Sequence, residues 1–220
     1  MNPNIVFVIS QSILFPLIIG LVRFKTVKKN YLPFFCNLSL GCLVEIISYD
    51  LIKKHHTSNA IPTNIFVLVE WIFLFYQFHQ WGLFKKQKEN LFLLLGIPVL
   101  LWVIENLIFW KIGEFSPYFR VSYSFLLVLM SISKINFMIT YDHKKLFRNP
   151  VFIICIGFII YFIYQIVYEW AYQLSRVEST YFTETVSYLF GYMNALVNII
   201  FGLAFLLIPV QRKFRWDAPE

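Results

Sequence analysis

Carboxyl, amide and amine groups stand at regular intervals inside long apolar runs of this sequence, and those are the positions from which it could do chemistry. Asn37, Gly41 and Glu45 fall at i, i+4 and i+8, and Ser48 continues the same face; that spacing lines up one stripe of a helix. The next apolar run carries Asn64 and Glu70, with Gln77 two turns further on. Two more runs carry Glu105 with Asn106, and Ser124, Ser131, Lys134 and Asn136. In the last, Ser187, Gly191, Asn194, Asn198 and Gly202 recur every three or four residues. An ionisable group deep in hydrocarbon costs roughly 2.5–3.5 kcal/mol on insertion scales, so it turns inward and marks a function by default. Glu45 and Glu70 read as sites of titration or cation contact, because Gln would serve packing at less cost. The asparagines and serines read first as hydrogen-bonding glue, with the glycines letting helices approach closely. Glu105 and Glu184 lie near the outer interface, where snorkelling is the simpler reading. Lys134 either pairs with a carboxylate or reaches the cytoplasmic headgroups. The candidate ligand- or ion-binding residues are Asn37, Glu45, Asn64, Glu70, Lys134, Asn194 and Asn198. Glu45, Glu70, Asn64 and Asn194 would line an outward-opening cavity for a cationic or hydrogen-bonding ligand, or for proton exchange.

The elements that must position these groups are membrane helices. Of 220 residues, 59% are apolar and 14% charged, and mean hydropathy is positive, far from the balance of a soluble domain. Runs of about 20 apolar residues, enough to cross a hydrocarbon core, recur from end to end. They predict an all-α integral membrane protein, a single transmembrane domain over 1–220, with seven spans near 4–22, 31–52, 62–81, 90–110, 118–140, 150–169 and 183–209. Pro33, Pro62, Pro117 and Pro150 fall in first turns, where a missing N–H costs nothing. Pro16 and Pro98 lie inside spans one and four and should kink them, with neighbouring helices taking up the freed carbonyls.

Loop charge gives the seven-helix bundle a direction. The first, third and fifth loops and the C-terminal tail hold thirteen Lys and Arg against five on the other side. Basic residues near spans stay cytoplasmic, so the N-terminus is outside and the C-terminus inside. Tyr31, Trp81 and Tyr141 at the inner ends, and Tyr49, Trp110, Tyr118, Tyr168 and Trp170 at the outer ends, make interfacial belts. The net charge of +7 follows from the face apposed to anionic lipid, and nucleic acid is not needed to explain it. Cys36, Cys42 and Cys155 sit in apolar runs and are odd in number, which argues against a disulfide framework. His55, His56 and His143 have no third ligand at a zinc-like spacing. No phosphate loop, nucleophile elbow or HExxH helix is present; no metal and no cofactor are expected.

Asn37 to Glu45, the segment Asn64-Ile-Phe-Val-Leu-Val-Glu70, Tyr161, and Asn194 with Asn198 together resemble an uncharacterised family of small seven-helix membrane proteins of Bacteroidetes-type bacteria. The resemblance spans most of the chain and implies a shared bundle in the bacterial cytoplasmic membrane, without an activity. Microbial rhodopsins fit poorly, since span seven has no lysine. So do sugar transporters of the three-plus-one-plus-three type, since span five lacks a proline to match Pro16.

With only about a dozen consecutive polar residues, between Trp170 and Thr183, an output module would come from another protein. The leading expectation is a non-enzymatic component of a sensing, signalling or assembly system, its partners being the lipid bilayer and a protein held by the basic cytoplasmic loops. The alternative is a small proton- or cation-coupled transporter or channel using Glu45 and Glu70. A third reading is an intramembrane lipid hydrolase with those glutamates as general acid and base.

Overall fold

The computed structural model of the protein describes residues 9–84, 88–109, 112–141, 146–175 and 180–209. The expectations that rest on Lys85, Lys86, Trp110, Lys111, Lys144, Lys145, Arg176 and the tail cations Arg212, Lys213 and Arg215, like the first residues of span one, lie outside these segments. Among the described residues there is no strand. Eight α-helices are α1 (Leu14–Val22), α2 (Phe24–Asn30), α3 (Leu32–Lys54), α4 (Ala60–Gln80), α5 (Lys88–Val103), α6 (Pro117–Tyr141), α7 (Pro150–Ser175) and α8 (Thr180–Leu207). Five of them, α3, α4, α6, α7 and α8, are long and apolar enough to cross a membrane. The stretches at spans one and four are shorter apolar helices, Gln11–Val22 and Leu93–Phe109. The protein is thus an all-helical bundle with the composition of a membrane-embedded chain. Large apolar side chains such as Val22, Leu43, Ile97, Ile108 and Leu203 cover its outside, the surface a lipid solvent requires.

The two interior prolines explain the shorter elements. Pro16 cannot donate to the carbonyl of Ser12, and the chain around it tightens into a 3₁₀ turn, Gln11–Ile13. Pro98 has no N–H for the carbonyl of Leu94, and the adjoining carbonyl of Leu95 takes the indole N–H of Trp71 on α4 at 3.2 Å. A neighbouring helix thus donates to a carbonyl beside the proline break, where a water-poor interior favours such contacts. Beyond Val103 the helix widens into a π segment, Ile104–Phe109. The wider turn buries the adjacent side chains of Glu105 and Asn106 together.

Helices α1, α3, α4, α6, α7 and α8 form a closed ring, each packed on the next, with α1 shutting the gap between α8 and α3. Helix α5 stands outside, against α4 and α6. At one end an aromatic plug fills the ring: Phe34 lies 5.4 Å from Phe158, 4.9 Å from Phe201 and 5.5 Å from Phe205, and Phe78 lies 5.9 Å from Phe158. Gln77 ties down the same end, accepting the N–H of Phe34 at 3.1 Å and donating to the carbonyl of Asn30 at 2.8 Å. One buried amide thereby satisfies the start of α3 and the end of α2, groups that a helix cannot satisfy internally. Arg23, at the break between α1 and α2, does the same for α8: its guanidinium donates to the carbonyls of Phe205 at 2.7 Å and Ile208 at 2.6 Å, and to that of Leu206. A cation there also complements the negative end of the helix dipole.

Close packing gives the ring a sensitive point. A Cβ on Gly157 would stand 2.4 Å from the ring of Phe201, which the plug holds in place. Gly157→Ala is expected to lower stability by about 1–3 kcal/mol, read as a shift of the denaturation curve in detergent; an unchanged curve would show that Phe201 can move aside.

Candidate functional site

A cavity of about 950 Å³ occupies the centre of the helix ring. Its floor is the aromatic plug, at Phe34, Phe158 and Phe201, and its wall runs up to Lys53, His56 and Asn59 at the α3–α4 connection. Asn37, Glu45, Glu70, Asn194 and Asn198 all line it, so five of the seven candidate residues share one site. The four-residue periodicity on α3 and α8 puts four of them there, because each stripe faces the ring's interior, and Glu70 joins them from α4.

Four buried side chains from four helices join across the cavity wall. Asn37 on α3 donates through Nδ2 to Glu70 Oε1 on α4 at 3.3 Å. Tyr123 on α6 donates its hydroxyl to Glu70 Oε2 at 2.9 Å, and Gln165 on α7 donates through Nε2 to the Tyr123 oxygen at 3.0 Å. The directions are forced by one another. A carboxylate accepts from both neighbours, so Tyr123 spends its proton on Glu70 and can only accept from Gln165. Each amide therefore turns its NH₂ group to the network and its oxygen away. Asn37 Oδ1 and Gln165 Oε1 have no hydrogen-bond partner among the described residues, although the two residues are only 5% and 4% exposed.

One turn outward lies an ion pair. Arg120 on α6 donates to Glu169 Oε1 on α7 at 2.6 Å, with side chains 14% and 1% exposed. The guanidinium also stands 5.6 Å from the centre of the Phe115 ring. Glu169 Oε2 and Arg120 Nε are without a partner among the described residues, and both residues line the cavity. Glu45, half-buried on α3, hydrogen-bonds with the Ser10 side chain. Asn198 on α8 donates to Ser12 Oγ at 2.9 Å and to Asn194 Oδ1 at 3.4 Å, tying the kinked segment ahead of α1 to the ring.

The other two candidates are placed elsewhere. Asn64 does not line the cavity: its Nδ2 donates to the carbonyls of Ile112 at 3.0 Å and Glu114 at 2.6 Å, holding the connection before α6. Its own carbonyl accepts from Trp102 Nε1 at 2.9 Å. Lys134 is buried and donates to the carbonyl of Trp81 at 2.6 Å, close to where α4 ends. Both act on exposed backbone groups at element ends rather than on a ligand. Glu105 likewise departs from the snorkelling reading: it is 4% exposed and accepts the N–H groups of Tyr118 at 3.1 Å and Phe119 at 2.7 Å. It caps α6 from another helix, where an anion meets the positive end of the helix dipole. The side chain of Glu184 lies outside the described residues.

Three cavity-lining residues escaped the sequence reading, Arg120, Gln165 and Glu169, as did Tyr123, which bonds to Glu70 and Gln165 from behind the wall. Arg120 looks like a loop cation, and Glu169 like the last residue of span six, because that span was ended at 169. Helix α7 continues to Ser175, which puts Glu169 inside it. The available signal was Gln165 and Glu169 at i and i+4, a polar stripe of the kind noted on α3 and α8. Among the described residues no three His, Cys, Asp or Glu side chains gather at a spacing able to hold a metal ion. No family model, curated protein or solved structure matches the chain.

Proposed function

We propose that this chain is a seven-span protein of a bacterial cytoplasmic membrane, N-terminus out and C-terminus in, that binds a small molecule from the outer side and passes the event to a partner protein through its basic cytoplasmic loops. The observation that carries the reading is the cavity at the centre of the ring, whose lining side chains carry buried polar atoms without a hydrogen-bond partner among the described residues. Buried donors and acceptors are nearly always paired, and each orphan costs about 1–3 kcal/mol. Filling the cavity removes that cost, so ligand binding and the packing of six helices are coupled. Lys53 and His56 stand at the α3–α4 connection, which the loop charges assign to the outside. The plug closes the opposite end. Extraction from native membranes in mild detergent should bring down a second protein at a fixed ratio; a monomer without companion would overturn the signalling half of this reading.

A transporter is the second reading, favoured by one observation: Glu70 stands midway along a long apolar helix, inside a ring whose α1 region carries a 3₁₀ turn and whose outer helix α5 carries a proline and a π segment. Broken helices around a central carboxylate suit alternating access. Flux into liposomes that Glu70→Gln abolishes would favour it, and flux unchanged in that variant would exclude Glu70 as the coupling site.

A further inference from the structure

The unsatisfied atoms on the cavity wall are unequal in kind. Among the described residues, Asn37 Oδ1, Gln165 Oε1 and Glu169 Oε2 are acceptors, and Arg120 Nε is the single donor. All four belong to cavity-lining side chains, and the three acceptor residues are at most 5% exposed. The charges are unequal too. Arg120, whose field also reaches Glu70, is hydrogen-bonded to Glu169, whereas the hydrogen-bond partners of Glu70 are the neutral side chains Asn37 and Tyr123, and Glu45 meets the neutral Ser10. A wall with spare acceptors and carboxylates held by neutral donors is complementary to a cation rich in N–H groups.

Depth within the cavity adds shape to that charge. Phe34 precedes Asn37 by three residues on α3, and Glu45 follows it by eight, a rise of about 12 Å from Asn37 to Glu45. The apolar floor of Phe34, Phe158 and Phe201 thus lies just below the level of Asn37 and Glu70, with the second carboxylate above. We propose that the cavity takes a protonated amine carrying an apolar or aromatic body, its ammonium among Glu70, Asn37 and Gln165 and its body on the phenylalanine floor. Three N–H donors meet the vacant amide oxygens and the carboxylate, and the aromatic faces of the floor add attraction to the cation above them. An anionic ligand would meet the carboxylates of Glu70 and Glu45, with Arg120 already paired to Glu169 and Lys53 at the far end of the wall, and a neutral alcohol would leave most acceptors unsatisfied. This inference rests on the ligand-binding reading and narrows it to one chemical class.

Three probes of similar shape separate the possibilities: 4-phenylbutylamine, 4-phenylbutanol and 4-phenylbutyrate, titrated against the purified full chain in detergent at neutral pH. The amine should bind about tenfold or more tighter than either of the others, the difference expected for one well-made hydrogen-bonded charge contact. Glu70→Gln should remove most of that preference, whereas partition into the micelle would be the same for both proteins. Should Glu70→Gln fail to fold, Glu45→Gln, at a half-buried position, should weaken the amine about threefold through the lost field of the carboxylate. Alcohol or butyrate binding as tightly as the amine would overturn the assignment of a cation while leaving a ligand-binding cavity in place. An amine preference that survives both substitutions would overturn it as well. No binding by any of the three would overturn both this inference and the ligand-binding reading.

Discussion

Glu169→Ala should destabilise the protein by about 3–5 kcal/mol, the largest loss expected from a single substitution in this bundle. The reason is asymmetry. Removing the carboxylate leaves the Arg120 guanidinium 14% exposed between α6 and α7, with its Nε already unpaired. A buried charge without a counter-charge is far more costly than a buried pair, whose desolvation and attraction largely cancel. The double variant Arg120→Gln with Glu169→Gln should therefore recover more than half of the loss. Unfolding curves of the two single variants and the double variant, in one detergent, check this directly; single variants that each cost less than about 1 kcal/mol would mean the pair behaves as a solvated surface contact.

Tyr123→Phe should cost about 2–4 kcal/mol, although it removes one oxygen atom. That oxygen has two jobs, donating to Glu70 Oε2 and accepting from Gln165 Nε2. Its loss leaves a carboxylate oxygen and an amide N–H unpaired inside the ring, at about 1–3 kcal/mol each and more for the charged group. Tyr123 is fully buried and its ring packs 5.9 Å from Phe162, so phenylalanine keeps the packing and isolates the hydroxyl. The companion substitution Glu70→Gln in the Tyr123→Phe background should cost less than the sum of the two, since the orphaned carboxylate is then neutral. Additive costs would show that the two residues are not joined in solution.

What could be read in the sequence follows the reach of periodicity. Asn37 with Glu45, and Asn194 with Asn198, are legible because a polar residue every four positions in an apolar run marks the inward stripe of a helix, and both stripes line the cavity. Helix identity was legible for the same reason, and the five long apolar helices begin and end within a few residues of five expected spans, except where α7 overruns its span to Ser175. Periodicity says which face turns in; it does not say what that face meets. Asn64 and Lys134 are inward residues too, yet each finds a backbone carbonyl at an element end, a partner defined by tertiary placement alone. Glu169 was hidden by a boundary, since a charge at the end of a hydrophobic window looks like an interfacial one until the helix is seen to continue past it; Arg120, in the first turn of α6, carries no periodic signal at all. The capping role of Glu105 depends on α5 running beside the start of α6, and no local pattern announces that approach.

The central claim is a cavity that opens outward and attracts cations, and cysteine accessibility tests it most directly. In a background with Cys36, Cys42 and Cys155 replaced by alanine, a single Asn194→Cys would be exposed in intact cells to membrane-impermeant thiosulfonate reagents carrying either a positive or a negative charge. Modification is expected from outside without permeabilisation, faster by the cationic reagent than by the anionic one, with the preference reduced by Glu45→Gln. Modification only after the cytoplasmic face is opened, or equal rates for the two reagents, would contradict it.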